Sequence, residues 1–240
     1  FKRLDGFDVT FITGTDEHGQ KVEKAASDKG VSPQSFTDEV SQNFRDLTAQ
    51  MNFSNDDFIR TTDSRHRLAC QEIWKRLRES NHIRLGNYAG WYSVRDETFF
   101  TETEVVDGKA PTGAPVEWVE EPSYFFNLSH WQEPLLDFYE ANPDFVGPKS
   151  RFNEVKSFVK GGLRDLSVSR ASFKWGIPVP NDPDHVMYVW LDALTNYITA
   201  SGWPTDTELG DTAKNEKLWP ADLHMVGKDI LRFHAVYWPA

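Results

Sequence analysis

The sequence predicts an α/β fold: a parallel sheet flanked by helices and interrupted by a small, β-rich insertion. Three observations carry this. An apolar run, Val9-Thr10-Phe11-Ile12, feeds a charged, glycine-flanked loop from Thr13 to Gly19 and then a helical pattern beginning near Gln20. That is the strand, loop, helix order of open sheets, which place ligands at the carboxyl ends of their strands. From about Arg84 the texture changes to short aromatic β-like pieces separated by Gly and Pro turns, and after the Pro-rich stretch from Trp175 to Pro180 the α/β pattern returns.

Taken in order, the elements have local causes. Ser32-Pro33 supplies an N-cap with Pro at the first helical position, and Phe36, Val40, Phe44, Leu47 and Met51 then recur at helical spacing. Thr62-Asp63 caps a second helix with Leu68, Ala69, Ile73, Trp74 and Leu77 on its apolar side and Arg and Lys opposite. The insertion, 84–174, is read from Trp91-Tyr92-Ser93-Val94, Thr98-Phe99-Phe100, Glu117-Trp118-Val119 and Tyr124-Phe125-Phe126. The first and second parts of the sheet domain are then 1–83 and 175–240. In the last part Val186 to Trp190 reads as a strand, Asp192 to Ser201 as a short helix, and Leu223 to Val226 as another strand that Gly227-Lys228-Asp229 turns into a final helix.

With 240 residues, 39% hydrophobic and 14% aromatic, the chain can bury a real core, and no apolar run approaches a membrane span. A formal charge of -11 argues against a broad basic face for phosphate backbones and leaves room for a local contact only. The single cysteine, Cys70, excludes an intramolecular disulfide and a multi-Cys zinc site, and its place in a helical pattern points to buried packing. Both ends read as cut through continuing structure, as if the chain were interior to a longer polypeptide.

Three strand-to-helix junctions, Gly14 to Gly19, Trp190 to Asp192 and Gly227 to Asp229, would open onto one edge of a parallel sheet and share a pocket. Each also has a plain structural explanation. Asp16 and Asp229 are the carboxylates a helix N-terminus favours, His18 fits a satisfied structural histidine, and Trp190 fits a core residue. Ile230, Phe233, His234 and Tyr237 fall on one helical face, as packing residues do.

Several blocks in fixed order add more than any one of them. They are TGTDEHGQKVEKAA (13–26), GWYSVRDETFF (90–100), EEPSYFFNLSHW (120–131), LRDLSVSR (163–170) with WGIPVP (175–180), YVWLDAL (188–194) and MVGKDILRFHAVYWPA (225–240). Together they resemble the methionyl-tRNA synthetases, a class I aminoacyl-tRNA synthetase family. The resemblance implies a Rossmann-type catalytic domain split by a connective insertion. It also implies that L-methionine is activated with ATP and Mg2+ to methionyl-adenylate and transferred to the 3′-terminal ribose of tRNA(Met). The same resemblance makes Asp16 the carboxylate for the substrate ammonium, and Trp190, Tyr197, Ile230, Phe233 and His234 the methionine wall, with Tyr197 or His234 as donors to the sulfur. Gly227 and Asp229 fall to the adenosine side, and a cytoplasmic or organellar-matrix monomer is the expected state. A synthetase for another apolar amino acid, or a non-catalytic methionine- or tRNA-binding module, remains the alternative.

Two departures matter. The family's HxGH-type and KMSKS-type signatures, which bind the ATP phosphates, are absent from the chain, as is its anticodon-binding region, and residues 84–174 contain no cysteine for the zinc knuckle that many members carry there. The purified 240-residue chain is therefore expected to give no methionine-dependent exchange between pyrophosphate and ATP, and robust exchange would refute this.

Overall fold

The computed structural model describes residues 1–96 and 98–240, without the side chains of Tyr88, Thr98, Phe99 and Val189. Glu97, inside the GWYSVRDETFF block, lies outside the described residues. A parallel pair opens the chain: β1 (Ile12–Thr15) leads through the charged loop to α1 (Gln20–Lys29) and α2 (Pro33–Gln50), and returns as β2 (Asp57–Arg60). Pairing starts at Ile12 opposite Asp57, so the strand begins three residues later than the apolar run Val9 to Ile12 that announces it. Gly14 lies opposite Ile59, and a Cβ there would stand 1.9 Å from the Ile59 carbonyl oxygen. Only a residue without a side chain permits this approach.

The Ser32 hydroxyl accepts from the Ser35 amide and Pro33 occupies the first turn of α2, as the sequence requires. Its apolar row behaves otherwise. Phe44, Leu47 and Met51 are exposed, and the residues α2 buries are Thr37 and Ser41, because the face toward the rest of the chain is the small polar one. In α3 (Ser64–Glu79), of the expected apolar side, Ala69 and Trp74 are buried and Leu68, Ile73 and Leu77 half-buried, with Trp74 edge-on to Tyr124 at 5.2 Å.

The insertion holds an antiparallel sheet in the order β4-β3-β5-β6, formed by β3 (Ile83–Ser93), β4 (Thr98–Phe100), β5 (Glu117–Phe126) and β6 (Leu166–Ser167). Glu117 to Val119 and Tyr124 to Phe126 are two parts of one long strand. Helices α4 (Gln132–Ala141) and α5 (Lys149–Lys160) follow it, so the region is less purely β than its aromatic texture implies. Their buried Leu135, Tyr139, Phe152, Val155 and Val159 join one core with Cys70 and Trp74 of α3 and with Met187, Leu231 and Ala235.

The last part departs most from expectation. A second antiparallel sheet, β7-β9-β8, is made of β7 (Ser169–Arg170), β8 (Pro178–Val179) and β9 (Asp182–Met187). β9 stops before Tyr188, whose amide donates to the Val168 carbonyl at 2.8 Å, and α6 (Val189–Ala200) starts at once. Trp190 thus stands in the first turn of a helix, not at the end of a strand, and β9 is antiparallel to its neighbours. After α7 (Thr212–Leu218), residues 223–226 find no ladder partner among the described residues and form no strand. The final helix is irregular: a 3-10 turn (Lys228–Ile230) passes into a π-helical turn (Phe233–Tyr237).

Replacing Gly14 by Ala should destabilise the chain by about 1–3 kcal/mol, the usual range for forcing an atom into filled space. Urea unfolding measures this, and an unchanged midpoint would show that the two strands separate at no cost.

Candidate functional site

The site begins with the loop after β1, which is held from both sides. Glu17, 3% exposed, receives two hydrogen bonds from Arg60 at 2.7 and 2.9 Å and one each from the Thr15 and Thr62 hydroxyls at 2.6 Å. The Glu17 amide donates to the Thr61 hydroxyl at 2.9 Å, and its carbonyl accepts from the Trp175 indole at 2.6 Å. Gly19, at φ 111, donates its amide to the Trp175 carbonyl. Between these ties Asp16 is exposed at the end of β1, and its charge reaches both Tyr197 and Cys70.

Deeper in, Asp192 of α6 is fully buried and uses both carboxylate oxygens. Oδ2 lies 2.5 Å from His18 Nδ1, and Oδ1 lies 2.7 Å from His66 Nε2. Cys70 Sγ completes the group, 3.2 Å from His66 Nε2, and burial pushes its thiol well up, so it is a packed group and not a nucleophile. His66, Cys70 and Asp192 put one ligand-type atom each within 4.8 Å of the others, and their mutual hydrogen bonds account for that closeness. His18 is thus a satisfied buried histidine, set edge-on to Trp175 at 5.3 Å. His66 and Arg60 carry no motif that singles them out. The signal for their partners is an acid, Asp192, in an otherwise uncharged helix, and a second acid, Glu17, inside a glycine-flanked loop.

The aromatic candidates do converge. Trp190 and Phe233 stack with centroids 3.4 Å apart and an interplanar angle of 11°. Next to Phe233, His234 Nδ1 lies 2.9 Å from the Ile230 carbonyl oxygen, and Nε2 lies 2.5 Å from the Tyr197 hydroxyl. A carbonyl only accepts, so the proton sits on Nδ1. Burial lowers the His234 pKa and keeps the ring neutral, so Nε2 accepts and Tyr197 donates. Both protons of the pair are therefore used inside it, and in this arrangement neither residue donates to a ligand sulfur.

A cavity of about 580 Å³ opens on the Trp190 and Phe233 side, with Arg170, Asp229 and Arg232 in its wall. Arg170 is 2% exposed, donates to the Ser167 hydroxyl and the Ser169 carbonyl, and lies 3.7 Å over the Tyr188 ring. A smaller apolar cavity of about 100 Å³ lies against Trp190 and reaches Leu191, Leu194 and Trp238. Tyr197, Ile230 and His234 line neither cavity, and Asp229 and Gly227 are exposed, with open space around Gly227. The structure thus groups Trp190, Phe233, His234, Ile230 and Tyr197, brings Asp229 to the larger cavity, and leaves Asp16 on the solvent side within electrostatic reach of Tyr197.

Burial alone would raise the Asp192 carboxyl. The charge and hydrogen bond of His18, followed by those of His66, override it and hold the carboxyl down at about 2, against an ordinary value of 3.8. A carboxylate held low in the folded state gives stability that is complete above its unfolded pKa, about 3.9, and is lost as the pH falls toward 2. Asp192→Asn should flatten that part of the acid-unfolding curve followed by circular dichroism; identical acid profiles would exclude the pairing.

A family model described as tRNA synthetases class I (M) matches residues 1–115 and 110–240. The chain is 65% identical to a methionine--tRNA ligase of Rickettsia conorii, aligned over 100% of the chain and 46% of that protein. It is 58% identical to the methionine--tRNA ligase of Rhizobium meliloti, over 100% of the chain and 47% of the relative. The chain thus spans about half the length of the relatives it matches. A crystal structure of Mycobacterium tuberculosis methionyl-tRNA synthetase bound by methionyl-adenylate superposes with a TM-score of 0.92 at 56% identity, covering 100% of this chain and 48% of that one. The free-state structure of the synthetase from the same organism gives a TM-score of 0.82 at 54% identity, covering 100% of this chain and 46% of that one.

Proposed function

The chain belongs to the class I tRNA synthetases, and on that premise we propose that it forms the amino-acid-binding part of a methionine--tRNA ligase. In the proposed reaction the methionine carboxylate attacks the α-phosphorus of ATP, pyrophosphate leaves, and methionyl-adenylate forms. The terminal ribose hydroxyl of tRNA(Met) then attacks the acyl carbon and AMP leaves. Magnesium arrives with the triphosphate, and no residue of this chain is assigned to it.

The observation that carries this is the convergence of the Trp190 and Phe233 stack with the Tyr197, His234 and Ile230 chain of hydrogen bonds, under the charge of Asp16. A flat aromatic wall suits a flexible thioether, and a carboxylate on a fixed loop suits its ammonium group. Asp229, on the wall of the larger cavity, is assigned to the ribose hydroxyls of adenosine, and Gly227, with open space above it, to the approach of the nucleotide. The higher TM-score with the adenylate-bound relative than with the free one supports an assembled pocket. The proposed division is 1–83 and 175–240 for the catalytic domain and 84–174 for the connective insertion, whose own antiparallel sheet supports it. No described helix is long and apolar enough to cross a membrane, and a monomeric cytoplasmic enzyme is the proposed state.

The test is pyrophosphate exchange by the native polypeptide that contains this chain, screened across the amino acids. Exchange with methionine alone is expected. Exchange with another amino acid would overturn the roles given to Trp190 and His234, and no exchange with any would favour a non-catalytic binder.

A further inference from the structure

The buried carboxylate of Asp192 has no place in the proposed chemistry, yet it joins three segments that chemistry needs in register. His18 comes from the loop two residues after Asp16, His66 comes from α3, and Asp192 itself lies two residues after Trp190 on the helix that also carries Tyr197. We propose that Asp192 is a positioning residue that fixes the ammonium-binding carboxylate of Asp16 relative to the aromatic wall by holding His18 and His66 together. This rests on the assignment of Asp16 and the wall to methionine.

The physical reason is that a desolvated carboxylate is tolerable only while both oxygens are hydrogen-bonded. If the loop drew away from α6, the His18 bond would open and leave one oxygen bare in a site that water does not reach. If α3 drew away, the other oxygen would lose His66. Apolar packing can slide by a fraction of an ångström at little cost, whereas this three-part contact has one register. The loop is tied again by the Arg60 and Glu17 pair, so Asp16 stands between the end of β1, where Thr15 pairs with Arg60, and two fixed residues that follow it, Glu17 and His18. The Asp192 tie relates the loop directly to the helix bearing Trp190 and Tyr197. A misplacement of about 1 Å in such a constellation costs up to ~100-fold in rate or binding.

The experiment is steady-state pyrophosphate exchange by the native polypeptide, with methionine and ATP varied separately, for Asp192→Asn, His18→Ala, His18→Asn and Asp16→Ala. Asp192→Asn and His18→Ala are expected to raise the KM for methionine about tenfold or more and to leave the KM for ATP within about twofold. His18→Asn places an amide nitrogen where Nδ1 stood and should recover most of that loss. Folded Asp192→Asn and His18→Ala proteins with an unchanged methionine KM would overturn the proposal, as would equal rises in both KM values, which indicate general loosening. Should Asp192→Asn fail to fold, the His18→Ala and His18→Asn pair decides. Asp16→Ala separates the two layers. If it leaves the methionine KM unchanged, the assignment of Asp16 fails and this proposal with it. If Asp16→Ala raises the methionine KM and His18→Ala does not, only the positioning role fails.

Discussion

One buried carboxylate organises this molecule. Asp192 is enclosed by three segments that are far apart in sequence, and its two oxygens are satisfied by imidazoles from two of them. That contact joins the loop bearing Asp16 to the helix bearing Trp190 and Tyr197. The loop after β1 can carry an exposed Asp16 because the residues after it are anchored, and α6 can present Trp190 and Tyr197, seven residues apart and so on one helix face, because the helix cannot rotate without breaking two short hydrogen bonds. A buried ionic contact of this kind is a poor source of net stability and a good source of registration.

The arrangement also explains why antiparallel strands can serve a site that a parallel sheet would supply by topology. The three junctions do not share one sheet edge, since β9 runs against β7 and β8 and residues 223–226 pair with nothing described. They meet because α6 packs on α3 and the π-helical turn lays Phe233 and His234 against α6. Within the π turn consecutive residues meet different partners, Phe233 stacking on Trp190 and His234 reaching Tyr197.

Much of the fold was legible because it is local. The Ser32 cap, the first three helices, the burial of Cys70 and the strands of the insertion follow from residue patterns within a few positions of themselves. The candidate aromatics were legible for another reason, the resemblance to a known family, and they do gather. What stayed hidden depends on distance along the chain. No local pattern announces that Asp192 meets His18 across 174 residues or His66 across 126. The end of β9 was hidden too, because Val186 to Trp190 is β-branched or aromatic at every position but Met187, and the ladder ends where the Tyr188 amide finds the Val168 carbonyl. In α2 the periodicity gave the helix correctly and its buried face wrongly, since Thr37 and Ser41 are the residues that pack.

The direction of the hydrogen bond between Tyr197 and His234 has a consequence for what the pair accepts as a neighbour. With the tyrosine proton committed to Nε2 and the histidine proton committed to the Ile230 carbonyl, the polar tip of the wall presents an oxygen lone pair and aromatic edges. Such a surface tolerates a sulfur that makes no hydrogen-bonding demand. A strong acceptor in the same place, such as the oxygen of an oxidised thioether, would face another acceptor with no proton between them. The pair discriminates among its neighbours by withholding a donor.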